Sequence, residues 1–446
     1  MNFDAIGLKV PKVLLPNPDT DMRRWAVIAC DQYTSEPEYW DKVRQEVGDA
    51  PTTLDLIFPE VYLEDDDGEQ RIAAINAAMQ RSLEDGTLAE QPPGFVLLDR
   101  KTSEVPSRKG LVVALDLECY DYSVDSRSLI RATEGTILDR LPPRVKVRKQ
   151  AAIELPHIMV LIDDPERTVI EPLFEQQREV LYDFELMQNG GHLKGWRVAD
   201  PESVEQVGAA LAKLADPETF AAKYQVTDRA EVLFAMGDGN HSFATAKAIW
   251  EQLKEEAQDK DAIMDHPARW ALVELVNVHD AGLEFEPIHR VLFGLSYDDL
   301  VNRAAAFYTA RGERFRVVEC GAAERDARAA AEQQAGHHAI PFVAGERSGL
   351  FVVENPCRVL VVATLQEFFD SYLKERERTR IDYIHGDAAV TSLGGQENNA
   401  GFYLPAISKH DLFKTIILDG ALPRKTFSMG EADEKRFYLE CRKITP

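Results

Sequence analysis

Apolar positions along the chain recur with two different periods, and the two alternate. Over 69–79, Ile72, Ile75 and Met79 fall on one helical face. The runs GFVLLD (94–99) and GLVVALDLECY (110–120) are apolar, rich in β-branched residues and bounded by Gly or Pro, which predicts strands. HIMVLIDDP (157–165) predicts a buried strand ending in a turn. In EVLYDFELMQNGGHLKGWRV (179–198), Asn189-Gly190-Gly191 separates two alternating runs, as a hairpin requires. PESVEQVGAALAKL (201–214) begins on Pro and continues at helical spacing. An apolar run reaching Ala235 precedes a helix extending to about residue 256, followed by strands over 269–280 and 283–293. The remainder predicts helices over 297–311, 322–335 and 364–375, with strands over 314–319 and 338–353. The class is α+β, a mixed α/β chain whose order is too irregular for a barrel or a Rossmann succession, and no repeat of about 20–50 residues appears.

Length and charge narrow this picture. A chain of 446 residues exceeds one ordinary core and suggests about two to four domains. We divide it into an N-terminal α/β region (1–127), a central domain (128–294) and a C-terminal α/β region (295–446). The 45% hydrophobic and 28% charged residues are ordinary for a globular protein. A net charge of −25, from 51 basic against 76 acidic residues, opposes a phosphate backbone or an anionic membrane surface. The expected partner is therefore a small anionic metabolite held in a local basic pocket, with no nucleic acid and no membrane. The oligomeric state is left open. Five cysteines lie far apart with no CxxC pair, which fits buried reduced thiols in a cytoplasmic protein better than zinc knuckles or a disulfide framework. The first residues, interrupted by prolines and lacking a basic start, read as neither a signal peptide nor a membrane span.

The candidate chemistry sits in AMGDGNHSFATAKAIWEQLK (235–254), where a strand gives way to a helix. Such a corner exposes backbone N–H groups and the positive end of the helix dipole, so it favours an anion. Gly237 and Gly239 permit positive φ or close approach of a ligand. Asn240 and Ser242 suit helix capping or donation to an oxyanion, and His241 suits an acid, a base or a phosphate donor. Asp238 would repel phosphate, so its role is a substrate proton, a metal ion or the orientation of His241. A plain turn with Ser242 as cap has about equal weight on residue types alone.

Asp238-Gly239-Asn240-His241-Ser242, followed by Ala244 and Ala246, resembles the Asp-Gly-His-His-Arg turn of the bacterial and archaeal domain of unknown function 1015 family. Further motifs of that family follow in order: Arg131-Ala-Thr-Glu134-Gly-Thr136, HIMVLIDDP, EPIHRVL (286–292) and LPRKTF (422–427). The turn also resembles the Asp-Gly-His-Thr-Arg turn of free-serine kinases of the ParB/sulfiredoxin superfamily. That likeness implies a ParB/sulfiredoxin-like central region with additional α/β subdomains, and a turn that holds nucleotide phosphates with Mg²⁺. Asn240 stands where the first His is usual and Ser242 where Arg is usual, which removes a bidentate phosphate clamp.

The resulting expectation is a phosphotransferase-like enzyme acting on a small hydroxyl metabolite. Gly237, Gly239, Asn240 and Ser242 bind a phosphate or carboxylate, Asp238 or His241 manages the proton, and Arg290 replaces the missing arginine. Arg131, Glu134, His289 and Lys425 are further ligand candidates. A phosphate-ester hydrolase and a non-catalytic metabolite- or nucleotide-binding protein are the alternatives. Arg290 paired with a structural carboxylate has about half the weight, and Arg131 and Glu134, in a loop before Asp139-Arg140, suit the surface as well as a site. Asp31 at a strand end stays open, and the segment after it suits a helix capped by Ser35 with Pro37 in its first turn. No metal site is expected: His337-His338 lack further ligands, and LEDDDGE (63–69) reads as a solvated turn.

Overall fold

The computed structural model describes residues 3–123, 126–135, 141–376 and 378–446. Thr136, Asp139 and Arg140 lie outside the described residues. Two compact units emerge, one formed by Met1–Glu284 together with Gly430–Pro446, the other by Phe285–Met429. The boundary read at 127/128 falls between strands that share one sheet, and the one at 294/295 falls within the second unit.

The first unit is organised by a ten-stranded mixed sheet. Its strands are β1 (Leu8–Lys9), β2 (Phe95–Lys101), β3 (Arg108–Asp116), β4 (Tyr120–Asp121), β5 (Ile130–Arg131), β6 (Met159–Ile162), β7 (Val180–Glu185), β8 (His192–Val198), β9 (Phe234–Asp238) and β10 (Trp270–Asn277). The spatial order is β7-β8-β2-β3-β10-β6-β9-β5-β4, with β1 pairing β3. β6 runs parallel to β10, and β5 parallel to β9 and β4, whereas β9 runs antiparallel to β6. Side-chain alternation splits the core in two. Phe95, Leu97, Leu111, Val113, Val273 and Leu275 face the helices Pro201–Leu214 and Asn240–Glu256. Val96, Leu98, Val112 and Leu272 face a second layer containing Trp25, Trp40, Val43 and the tail residues Tyr438 and Leu439.

The second unit carries a six-stranded antiparallel sheet built from β11 (His289–Phe293), β12 (Arg314–Glu319), β13 (His338–Ala344), β14 (Arg347–Glu354), β15 (Arg380–Ile384) and β16 (Asn399–Phe402). Helices Tyr297–Ala310 and Val361–Lys374 cover one face, and Ala322–Gln334 packs through Ala329 on the other. The apolar run 283–293, read as one strand, breaks at Ile288. Phe285–Pro287 pairs Phe427–Met429, whereas β11 joins the large sheet. Cys357 is exposed, contrary to the expectation of uniformly buried thiols, while Cys441 is buried. The helix Pro37–Val47 starts one residue later than the Ser35 cap allows: Glu36 is its N-cap and makes no side-chain cap bond. Among the described residues, no helix is long and apolar enough to cross a membrane.

The last segment returns to the first unit. Phe437–Tyr438 pairs Val27–Ile28, and Arg442–Lys443 pairs Ile153–Glu154. Its interleaved charges are buried rather than solvated. Arg436 bonds Glu274 in the middle of β10, Glu440 at 2.5 Å and the Pro156 carbonyl at 3.1 Å. Tyr182 Oη donates to the other Glu440 oxygen. Arg442 donates to Glu154 at 2.6 Å, which also accepts from Arg148 at 2.5 Å and from the Leu272 N–H at 2.9 Å. Room for the Glu274 side chain comes from Gly110, where a Cβ would lie 2.6 Å from Oε1. Removing one partner from such a network leaves a buried charge uncompensated. Arg436→Ala is expected to lower the stability of the first unit by about 3–5 kcal/mol. Chemical denaturation followed by tryptophan fluorescence checks this, and a change within about 0.5 kcal/mol would show that the network relaxes at little cost.

Candidate functional site

At the 237–242 corner, β9 ends at Asp238, and the helix Asn240–Glu256 starts directly after Gly239. Gly239 has φ +76°, and a Cβ there would lie 3.0 Å from Ile158 Cα, so both conformation and space require glycine. Gly239 is the N-cap, with no side-chain cap bond; Asn240 is already helical, so neither it nor Ser242 caps the helix. The amide oxygen of Asn240 is buried and has no partner among the described residues. Asp238 curls onto its own turn: Oδ1 accepts from the Gly239 N–H at 2.8 Å, and Oδ2 lies 3.1 Å from Lys435 Nζ.

β6 brings a second set of groups to the same corner, because Met159 is the register partner of Asp238. His157, two residues before Met159, packs its Cδ2 3.5 Å from where a Gly239 Cβ would sit. Its Nε2 lies 3.5 Å from Asp31 Oδ2, and its Nδ1 2.7 Å from Tyr438 Oη. The Tyr438 hydroxyl in turn donates to Cys30 Sγ at 3.1 Å. These contacts form one consistent chain when His157 is doubly protonated. Nε2–H then faces Asp31, and Nδ1–H donates to the phenol oxygen, whose own proton goes to sulfur. Glu60 and Arg144 form an ion pair close by.

The electrostatics agree with that protonation. Burial opposes charge on Asp31, yet His157, Gln32 and Lys435 outweigh it and hold the carboxyl well below its ordinary range. Burial likewise lowers His157, but Asp31, Asp238 and Glu60 carry it above its usual 6.5. Burial pushes the Cys30 thiol far up, so it stays protonated. Burial also raises Glu60, against the pull of Arg144. The corner thus gathers the carboxylates Asp31, Glu60 and Asp238 with the cations His157, Arg144 and Lys435.

Arg131 lies on β5, and its guanidinium is taken up by the carbonyls of Ser128, Ala230 and Glu231. It therefore holds a loop instead of reaching a ligand. The neighbouring Thr133 hydroxyl donates to the Met236 carbonyl at 2.6 Å, which runs the segment toward Glu134 beside β9. His289, Arg290 and Lys425 belong to the second unit. Arg290 is wholly buried, and each guanidinium nitrogen donates there: Nε to Gln366 at 2.9 Å, Nη1 to the Ile288 carbonyl at 2.6 Å and Nη2 to the Arg424 carbonyl at 3.2 Å. Its face stacks over Tyr383. The guanidinium expected to replace the arginine missing from the turn is thus engaged by an amide and main-chain carbonyls of its own unit.

Outside the corner, His337 pairs with Glu332 and His338 with Thr364. At the opposite ends of β6 and β10, Asp163 gathers His279, Lys223 and Tyr224. Among the described residues, no group of three or more His, Cys, Asp or Glu is arranged for a metal ion.

The profile of one family, described as Protein of unknown function (DUF1015), matches residues 12–372. No curated protein matches the chain. Among solved structures, the chain is similar to a free serine kinase in complex with AMP (11% identity, 78% of this chain and 95% of that one, TM-score 0.40). It is also similar to a conserved hypothetical protein from Pyrococcus furiosus (12% identity, 75% and 95%, TM-score 0.37). A third is SbnI with a C-terminal truncation from Staphylococcus aureus (9% identity, 75% and 87%, TM-score 0.37).

The Asp31–His157 pair carries a pH signature. The contribution of Asp31 to stability is present above the ordinary carboxylate range and is lost as pH falls through its depressed folded value. That of His157 is full below about 6.5 and is lost as pH rises through its raised folded value. The pair therefore stabilises most between about pH 4 and 6.5. In Asp31→Asn the two largest causes that raise His157 are lost, and the imidazole is expected to titrate lower than in the parent chain. NMR titration of its ring protons in both chains checks this; an unchanged midpoint would remove Asp31 as the cause.

Proposed function

The chain belongs to the DUF1015 family of proteins of unknown function, and on that footing we propose that its 237–242 corner binds a small metabolite through a phosphate or carboxylate group and acts on it as a phosphotransferase. The observation that carries this reading is Lys435 held 3.1 Å from Asp238 at a helix start whose N-cap, Gly239, makes no side-chain cap bond. The N–H groups of the first helical turn and the ammonium then converge on one anionic oxygen cluster. His157, kept protonated by Asp31, adds a second positive charge beside Gly239. Phosphoryl transfer asks mainly for positioning and charge neutralisation, which these groups supply. The acceptor hydroxyl loses its proton to a carboxylate of the corner, Asp238 being the one on the turn itself. Lys435 takes the place of the arginine absent at Ser242, with a point charge instead of a bidentate fork. Mg²⁺ and a nucleotide are the co-reactants that the kinase-like turn implies; phosphates would lie along the helix start, and the metal would take its charge balance from Asp238.

A single ammonium in place of a guanidinium favours a compact anion over a triphosphate. Calorimetric titration with phosphoserine, ADP and ATP, each with and without Mg²⁺, tests the reading. Phosphoserine is expected to bind more tightly than ATP. His241→Ala and Lys435→Ala should each stay folded and lose about 1.5–3 kcal/mol of binding, roughly ten- to a hundredfold. Tight Mg²⁺-dependent ATP binding with no response to phosphoserine would overturn the preference. Release of inorganic phosphate from phosphoserine without nucleotide would make the chain a hydrolase instead.

A further inference from the structure

The second unit holds a half-open cavity of about 280 Å³ that no part of the proposed function uses. By water's share of about 30 Å³ in the liquid, it accommodates on the order of nine non-hydrogen atoms. One side is the guanidinium of Arg325, whose face stacks on the Tyr403 ring at 4.1 Å. Stacking occupies the face and leaves the edge. That edge makes a single long contact, Nε to Asp326 Oδ1 at 3.4 Å, and the two terminal nitrogens have no acceptor among the described residues. The Arg325 side chain is nonetheless only 14% exposed, so a guanidinium fork stands ready and poorly solvated.

The lining also carries a negative charge, Asp387, whose side chain is 72% exposed. His289 is buried beneath it, and its Nδ1 accepts the Leu404 N–H at 3.0 Å, so its single proton sits on Nε2. Nε2–H then donates to Asp387 Oδ1 at 2.9 Å, fixing the carboxylate while Oδ2 has no donor among the described residues. The rest of the lining includes the aliphatic Ala339, Pro341 and Leu404 and one amide, Gln333.

A lone anion would meet two carboxylates here, Asp326 and Asp387, and a lone cation would meet the guanidinium. A molecule carrying both charges on one carbon, with an apolar remainder, answers the guanidinium, the carboxylate and the aliphatic lining together. We propose that this cavity binds a small α-amino acid with an aliphatic side chain, its carboxylate on the Arg325 fork and its ammonium on Asp387. This site lies wholly within the second unit and stands or falls independently of the 237–242 corner.

The test uses the full chain and three probes of one skeleton: L-leucine, 4-methylpentanoate and 3-methylbutylamine. Calorimetry, with thermal shift as a second readout, is expected to show L-leucine binding with a Kd of about 1 mM or tighter. The two single-charge analogues should bind at least about tenfold more weakly. Arg325→Ala and Asp387→Asn should each weaken L-leucine by about tenfold or more, and Arg325→Lys should recover only part, since it restores charge without the fork. Lys435→Ala, at the corner, should leave L-leucine binding unchanged while reducing phosphoserine binding. No response to L-leucine, equal binding of the analogues, or full binding by Arg325→Ala would each overturn the proposal. Loss of L-leucine binding in Lys435→Ala would assign the amino acid to the corner instead.

Discussion

Glu274 sits in the middle of a strand buried on both faces, where a carboxylate has no water to solvate it. Arg436 arrives from the far end of the chain to bond one carboxylate oxygen, Arg108 lies 4.0 Å from the other, and Glu440 and Tyr182 extend the chain of bonds from Arg436. The geometry around this contact has little freedom. Once Arg436 is fixed on Glu274, the residues flanking it in sequence are fixed as well. Lys435 is set against Asp238 and Tyr438 against His157. The candidate site is thus positioned by a structural ion pair that takes no part in its chemistry.

Electrostatic balance is the second consequence. At the corner the carboxylates Asp31, Glu60 and Asp238 are matched by His157, Arg144 and Lys435, so excess positive potential there comes from the helix terminus and the Gly239 turn. The pair Asp31–His157 keeps the imidazole charged without exposing it, and the phenol of Tyr438 absorbs its second proton donor. Cys30, one residue from Asp31, accepts from the Tyr438 hydroxyl at the end of this chain, and burial pushes its thiol up.

Much of the architecture was legible in the residue pattern. The helix at 201–214, the hairpin around Asn189-Gly190-Gly191 and the strand-to-helix corner lie where periodicity and turn residues put them. Those are local signals, set by neighbours in sequence. The tail was not legible for the opposite reason. Arg436, Glu440 and Arg442 alternate with Phe437, Tyr438, Leu439 and Cys441, a pattern that fits a solvated edge strand. Only partners far away in sequence, Glu274 and Glu154, make their burial affordable. His157 escaped notice because it opens a strand whose apolar interior dominates the pattern. Arg290 drew attention as an arginine inside an apolar strand, yet an amide and main-chain carbonyls satisfy it within its own unit.

The first unit is interrupted in sequence by the second, and this has a consequence for how the protein is made. During synthesis, β10 and Glu274 leave the ribosome before the whole of Phe285–Met429, and Arg436 follows only afterwards. At about 5–20 residues per second, that interval is on the order of ten seconds. Throughout it the carboxylates of Glu154 and Glu274 lack their tail partners, and the sheet face that Tyr438 and Leu439 will cover stands open. The inserted unit, whose strands are all its own, can fold in that time. A nascent chain therefore passes through a stage with one finished unit and one unfinished sheet, during which the apolar face depends on molecular chaperones or on speed for protection.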